Sequence, residues 1–186
     1  MPLSARRRRL TGAAAALCLL ALLGWHRLAV AAALVAWRFA DVPALPPAAL
    51  AALRPPPVLL DVRSAAEFAV GHLPGATRLD LARPDEALRG VSAGRTVVVY
   101  CAVGYRSGAA ARVLRARGFR DVRNLRGGIF AWADEGRAMT GDAGPTRAVH
   151  PYSRGWGMLR AVGVRTRCAE ARGRARRGAA AGRRRR

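Results

Sequence analysis

The fold is decided by the segment Thr96-Val-Val-Val-Tyr-Cys-Ala-Val-Gly-Tyr-Arg-Ser107. Its first five residues are β-branched or aromatic, which predicts a strand buried on both faces of a sheet. A helix is predicted from Ser107 to Arg117, with Gly118 as its C-cap. A strand that passes through a short loop into a helix is typical of a parallel α/β sheet. The predicted buried side of this helix consists of Ala109, Ala110, Val113 and Leu114.

The loop between this strand and helix has the composition of a reactive thiol site. Cys101 lies at the carboxyl edge of the predicted sheet and at a helix N-terminus, where backbone N–H groups and the helix dipole favour a thiolate or persulfide. Gly104 permits a tight loop around the sulfur, and Arg106 adds a forked cationic donor for an anionic substrate. The alternative is a buried, inert cysteine, which the nearby glycine, arginine and helix start disfavour.

Strands and helices alternate on both sides of this loop, which predicts a mainly parallel α/β sheet flanked by helices. Ser64 and Glu67 form a capping box that opens one of these helices, and Pro74-Gly75 predicts a turn. Beyond Met139 the alternation stops. The remaining predicted strands are 58–62, 77–79 and 121–124, and the remaining predicted helices are 64–70, 84–88 and 129–135.

The composition limits the classes of protein to which the chain can belong. A length of 186 residues allows one domain with extensions. The three cysteines, Cys18, Cys101 and Cys168, include no CxxC pair and no spacing typical of zinc ligands, so we predict no metal site. The formal net charge is +22, and every basic residue other than histidine is arginine. Residues 58–138 carry 13 Arg against 8 acids, whereas residues 139–186 carry 13 against 2.

Residues 1–40 form a segment of their own, an N-terminal hydrophobic helix by prediction. A basic block, Arg6–Arg9, precedes the apolar runs Leu10–Leu23 and Leu28–Trp37. Three placements stay open: a membrane anchor over residues 10–37, a cleaved secretory signal, or an amphipathic helix on the membrane or on the domain. The first two predict a bacterial membrane-associated or periplasmic protein. The third predicts a cytoplasmic, peripheral one.

The other segments outside the core differ in composition. Residues 41–57 form a proline-rich connector in which Pro46-Pro47 predicts a short helix, and residues 139–164 form a C-terminal extension. Residues 165–186 are an arginine-rich tail that we predict to be disordered. The tail has the charge to hold anionic lipid or nucleic acid. No aromatic residue follows Trp156, however, so we do not expect nucleic acid as a partner.

Residues 58–138 resemble the rhodanese family in three motifs that occur in the family's order. The resemblance implies a rhodanese-like, doubly wound, mainly parallel sheet flanked by helices, and sulfur transfer through a cysteine persulfide. The flanks, 38–43 and 149–157, resemble those of bacterial single-domain members. The three motifs are Leu60-Asp-Val-Arg63 with Glu67-Phe68 and Gly71–Ala76, then Val99–Cys101 with Gly104, Arg106 and Ser107, then Leu125–Ile129 with Trp132.

Carried over by position, the resemblance makes Cys101 the catalytic sulfur acceptor. It implies supporting positions near the loop for Asp61 and Arg63, structural positions for His72 and Trp132, and no cofactor. The residues implied to form the substrate-binding loop are Ala102, Val103, Gly104, Tyr105, Arg106 and Ser107.

The resemblance implies a sulfurtransferase that moves sulfur from thiosulfate or a persulfide to a thiol, cyanide or protein acceptor. Since Ala102 and Val103 are neutral, Arg106 alone supplies charge from a loop side chain, which favours persulfide donors. One alternative is a non-enzymatic sulfur carrier or partner-binding module. Another is a cysteine-dependent phosphatase, but those of the cell-cycle type place five residues between cysteine and arginine, and here there are four.

Overall fold

The computed structural model describes residues 27–151. Predictions for residues 10–26, for the second half of the 139–164 extension and for the 165–186 tail therefore lie outside the described residues.

A five-stranded sheet forms the centre of the protein. Its strand order is β1-β5-β4-β2-β3, and every neighbouring pair is parallel, as predicted. β4 occupies the middle position and all four of its residues are buried. Its carboxyl end, where Cys101 follows, thus lies between two other strand ends. The strands are β1 (Ala44–Leu45), β2 (Val58–Asp61), β3 (Thr77–Arg78), β4 (Val97–Tyr100) and β5 (Val122–Leu125).

Helices cover both faces of the sheet and create two apolar cores. Val98 and Tyr100 of β4 pack in one core, whereas Val97 and Val99 pack in the other. This division follows from the pleat, which turns successive side chains to opposite faces. The helices are α1 (Arg27–Arg38), α2 (Pro47–Ala52), α3 (Ala65–Val70), α4 (Pro84–Leu88), α5 (Tyr105–Ala116) and α6 (Gly128–Asp134).

Most of the predicted elements are confirmed, and the capping box is present in full. The Ser64 hydroxyl accepts the Glu67 N–H at 3.2 Å, and the Glu67 carboxylate accepts the Ser64 N–H at 3.1 Å. Helix α4 has the predicted bounds. The strand predicted at 121–124 is shifted by one residue, to Val122–Leu125.

Helix α5 differs from its prediction in start and in phase. It begins at Tyr105, two residues early, because Gly104 adopts a left-handed conformation with φ 109° and ends the loop there. The predicted burial of Ala109 and Val113 is wrong, since both are exposed. The buried positions are Ser107, Gly108, Ala110, Ala111 and Leu114.

Three short strands were not predicted. β1 lies within the proline-rich 41–57 segment and pairs with β5 at the edge of the sheet. Two more, β6 (Met139–Gly141) and β7 (Gly144–Thr146), form an antiparallel ribbon in the first part of the 139–164 extension. Strands of two or three residues are too short to show an alternating apolar pattern.

Helix α1 packs on the domain through one side only. Ala32 is buried on that side, and the Phe39 ring, one residue past the helix, lies directly on Gly108 of α5. A side chain at Gly108 would overlap the ring, so glycine allows this close approach. Within residues 27–151, no helix is both long and apolar enough to cross a membrane.

Candidate active site

The structure places Cys101 at the centre of the carboxyl edge of the sheet, directly after β4. Its side chain is 1% exposed and forms no disulfide. The Gly104 N–H donates to the Cys101 Sγ at 3.2 Å, so the loop folds back onto its own sulfur. Gly104 is also the N-cap of α5, which puts the sulfur near the positive end of that helix.

Helix α6 fixes the first half of the loop. The Ile129 N–H donates to the Cys101 carbonyl at 2.9 Å, and the Phe130 N–H donates to the Ala102 carbonyl at 3.1 Å. Gly128 makes this approach possible: its φ is +59°, and a Cβ there would overlap both carbonyl oxygens. Both loop carbonyls are thereby held by α6, while the Gly104 amide faces the sulfur.

Asn124, in β5, fixes the second half of the loop. Its Nδ2 donates to the Gly104 carbonyl at 2.9 Å, and its Oδ1 accepts the Ser107 hydroxyl at 2.8 Å. All four groups are buried, so these hydrogen bonds are shielded from water. The Ser107 hydroxyl is thus directed at Asn124 in the structure, and the binding of substrate by Ser107 stays a prediction.

Arg106 is paired with a buried carboxylate. Its guanidinium donates to Glu67 Oε1 at 2.8 Å and to Oε2 at 3.1 Å. Burial works to raise the pKa of Glu67, but hydrogen bonds from Arg106 and Ser64 outweigh it and lower that pKa. Burial likewise works to lower the pKa of Arg106, but Glu67 and the nearby Cys101 sulfur outweigh it and raise that pKa. The positive charge of Arg106, which was expected to face the substrate, is therefore largely balanced by the Glu67 carboxylate.

Asp61 and Arg63 form a second, fully buried ion pair beside the loop. The Arg63 Nη2 lies 2.6 Å from Asp61 Oδ2 and donates to the Gly71 carbonyl at 2.7 Å. Burial works to lower the pKa of Arg63, but the Asp61 carboxylate outweighs it and raises that pKa. Burial raises the pKa of Tyr100 well above its ordinary value, so its neutral hydroxyl accepts the Leu73 N–H at 3.1 Å. The pair joins the end of β2 to the 71–76 turn.

His72 and Trp132 have partners within the protein. The His72 ring stacks on Phe68 with centroids 3.7 Å apart, and its Nδ1 lies 2.9 Å from the Phe68 carbonyl. Its backbone pairs with Thr140 of β6. Trp132 Nε1 donates to the Ala138 carbonyl at 2.9 Å. None of these contacts involves the Cys101 sulfur.

Comparison with known proteins assigns the family. The sequence profile of the rhodanese-like domain matches residues 46–135. A sulfurtransferase of Allochromatium vinosum is 38% identical over 87 residues, which cover 47% of this chain and 81% of that protein. The chain belongs to the rhodanese-like family.

Other relatives share this rhodanese-like region. A thiosulfate sulfurtransferase, GlpE, of Pseudomonas putida is 37% identical over 75 residues, covering 40% of this chain and 68% of that protein. A probable adenylyltransferase/sulfurtransferase, MoeZ, of Mycobacterium tuberculosis is 38% identical over 79 residues, covering 41% of this chain but only 20% of that protein. The solution structure of a rhodanese-like domain from Anabaena superposes with a TM-score of 0.50 at 29% identity, covering 53% of this chain and 79% of that one.

Three residues that hold the Cys101 loop in place were not predicted from the sequence. Glu67 was assigned to a capping box, which concealed its second bond to Arg106. Gly128 was included only within the third motif, although two adjacent glycines before a predicted helix also permit close backbone approach. Asn124 had a usable signal: it is a polar residue near the carboxyl end of a buried strand, next to the strand that precedes Cys101. In the part of the chain that the structure describes, no cluster of His, Cys, Asp or Glu is arranged to hold a metal ion.

Proposed function

We propose that the protein is a sulfurtransferase in which Cys101 receives one sulfane sulfur as a persulfide and passes it to a thiol acceptor. The observation that carries this proposal is the Cys101 sulfur itself, held by the Gly104 amide at the N-terminus of α5. An anionic sulfur is favoured by such amides and by the helix dipole. Relatives that are named sulfurtransferases support the same activity.

The reaction consists of two thiol–disulfide-type exchanges. The Cys101 thiolate attacks the outer sulfur of a donor R–S–SH, a new S–S bond forms to Cys101, and the donor's S–S bond breaks to release R–S⁻. With thiosulfate as donor, sulfite leaves instead. An acceptor thiolate then attacks the outer sulfur of the Cys101 persulfide, becomes a persulfide itself and restores the Cys101 thiolate. No separate oxidant or reductant is consumed.

The charge balance of the site favours a persulfide donor over thiosulfate. Thiosulfate is a dianion, and its binding would require positive charge that the protein does not already neutralise. Arg106 is bound to Glu67 through both of its terminal nitrogens. The neutral side chains of Ala102 and Val103 add no charge. A low-molecular-weight or protein persulfide, with at most one charge near the reacting sulfur, fits this balance better.

The ion pair between Arg106 and Glu67 also disfavours phosphatase activity. A phosphate dianion requires a loop with an uncompensated arginine, and the Glu67 carboxylate already accepts from Arg106. The four-residue spacing between Cys101 and Arg106 also makes the loop shorter than the phosphatase loop.

Intact-mass measurement tests the proposed persulfide. The full chain is reduced, incubated with glutathione persulfide or with thiosulfate, and weighed beside three variants, Cys101→Ser, Cys18→Ser and Cys168→Ser. We expect a gain of one sulfur atom in the wild type and in the last two variants, and none in Cys101→Ser. A gain that persists without Cys101, or that never occurs with either donor, would refute the proposal.

Turnover with a thiol acceptor separates an enzyme from a passive carrier. Excess glutathione is added to the persulfidated chain with thiosulfate as the donor, and both the loss of the extra sulfur and the release of sulfite are followed with time. We expect repeated cycles when donor is present, with the wild-type rate well above that of Cys101→Ser. A persulfide that glutathione cannot remove would favour the carrier role.

A further inference from the structure

Helix α1 presents an apolar stripe to solvent. Val30, Leu34 and Trp37 are 56%, 61% and 79% exposed. They are spaced i, i+4 and i+7, so they lie on one face of the helix. Exposed apolar patches of this kind mark a surface that has a partner.

The opposite face of the same helix is already used by the fold. Ala32 is buried there, and Val35 packs against the core beneath α5. Phe39, just beyond the helix, meets Tyr105 edge-to-face with centroids 5.5 Å apart. An ordinary surface helix has one apolar face turned to the core and a polar face turned to water. Helix α1 has a second apolar face, which its packing in the domain does not explain.

The charges of α1 match an anionic surface. Its charged residues are Arg27 and Arg38, one at each end of the stripe. The nearest acid along the chain, Asp41, is bound by Arg112 at 2.5 Å. The chain that leads into α1 contains the apolar run Leu10–Leu23, preceded by the basic block Arg6–Arg9.

The geometry of α1 is that of a helix lying flat on a surface. Its 12 residues extend about 18 Å, well short of the roughly 30 Å of a bilayer core. Lipid cannot surround it, because the side with Ala32 and Val35 contacts the rest of the protein. With α1 docked as it is in this structure, only its outer face is open to a membrane.

We propose that the outer face of α1 docks on an anionic lipid bilayer, with Val30, Leu34 and Trp37 in the interface. Trp37 supplies the amphipathic ring that favours this depth, and Arg27 and Arg38 reach lipid phosphates from the two ends. The domain is thereby held on the membrane surface through the side opposite to the α1–α5 contact. The proposal does not depend on the chemistry of Cys101.

Vesicle co-sedimentation of the full chain tests the docking face. Vesicles of phosphatidylcholine with phosphatidylglycerol are compared with pure phosphatidylcholine. The variant Val30→Gln/Leu34→Gln is compared with Leu81→Gln/Val113→Gln, which removes one leucine and one valine that are 45% and 43% exposed elsewhere on the surface. We expect binding to anionic vesicles, a loss of about tenfold or more in the α1 variant, and little change in the matched control.

Fluorescence of Trp37 shows directly whether α1 enters the lipid. Trp25, Trp132 and Trp156 are replaced by Phe, and brominated lipid is included in the anionic vesicles. We expect a blue shift and quenching of Trp37 on binding. Vesicle binding without either change would overturn the proposal, because other segments would then make the contact. Absence of vesicle binding would overturn the proposal too. So would a dimer that forms without lipid in the wild type but not in the α1 variant, since a second copy of the chain would then occupy the stripe.

Discussion

Glu67 and Arg106 lie on different helices, yet together they set the charge around the Cys101 sulfur. Glu67 belongs to α3 and is buried, whereas Arg106 is in the first turn of α5 and only half-buried. Arg106 therefore has one side toward a carboxylate and one side toward the sulfur and solvent. Glu67 acts through Arg106, so we regard it as a positioning residue.

Replacing Glu67 should change the preferred donor. In Glu67→Gln the guanidinium loses its internal counter-ion and becomes available to a dianion. We expect the ratio of kcat/KM for thiosulfate to kcat/KM for glutathione persulfide to rise about threefold to tenfold, mainly through a lower KM for thiosulfate. Steady-state kinetics with both donors measure this ratio. Arg106→Ala is the control and should lower the ratio; a ratio that Glu67→Gln leaves unchanged would contradict the assigned role.

The same carboxyl group should make stability depend on pH. The pKa of Glu67 is lower in the folded than in the unfolded chain, so its ionised form stabilises the fold. This contribution is complete above the unfolded pKa and is lost as the pH falls through the folded pKa. We expect the difference in urea midpoint between wild type and Glu67→Gln to shrink as the pH falls from 7 toward about 3. A difference that grows on acidification would show that Glu67 is not held ionised.

Among the secondary-structure elements, the start of α6 holds the Cys101 loop in place as much as α5 does. The amides of Ile129 and Phe130 hold the loop carbonyls, and Gly128 lets them approach. This support joins two segments almost thirty residues apart in sequence. It explains why a Gly-Gly pair stands at the start of a helix whose backbone amides hold the Cys101 loop.

Gly128, the first residue of α6, and Gly136, just past its C-terminal end, allow the cost of backbone strain to be measured apart from the cost of steric overlap. Gly128 and Gly136 have φ of +59° and +69°, but a Cβ at Gly128 would overlap the loop carbonyls, whereas one at Gly136 meets nothing within 4 Å. Both Gly→Ala variants should lose about 1 kcal/mol from the left-handed backbone. Gly128→Ala should lose clearly more, and its persulfide should form more slowly. Thermal unfolding and intact-mass time courses measure the two effects; equal losses in both variants would mean that the loop yields freely.

The predictability of each element followed its length and its apolar pattern. β4 has four consecutive β-branched or aromatic residues, and its burial was evident. The phase of α5 was not evident, because Ala109, Ala110 and Ala111 are identical in type. The contact of Gly108 with Phe39, which lies on the inner face, joins segments that are far apart in sequence. β1 depends on pairing with β5, a contact between residues about eighty positions apart, which no local pattern reports.

In the molecule as a whole, the Glu67–Arg106 pair and the hydrogen bonds of Asn124 were not predicted from the sequence, and for a common reason. Each consists of polar residues whose individual positions have an ordinary local explanation. Their joint function exists only once parallel strands bring their ends to one edge. The loop itself was predictable, because its residues are contiguous and stand between a strand and a helix.

Helix α1 belongs to the folded unit, although the family profile begins at residue 46. Phe39→Ala removes the ring from between α1 and α5 and should cost about 3 kcal/mol or more of unfolding free energy. Trp37→Ala removes an exposed aromatic residue from the same helix and should cost less than about 0.5 kcal/mol. Thermal unfolding measures the costs, and limited proteolysis around residues 27–40 should accelerate in the first variant alone. Equal stability of the two variants would mean that α1 is not docked.

Both halves of the Cys101 loop are anchored, the first by the amides of α6 and the second by Asn124. A loop that is held in both halves cannot widen to enclose a chain of several sulfur atoms. If Cys101 carries sulfur as proposed above, a second added sulfur atom would lie farther from the Gly104 amide that holds the Cys101 Sγ. For the function proposed above, we therefore expect a polysulfide donor to load Cys101 with one sulfur atom and not with two.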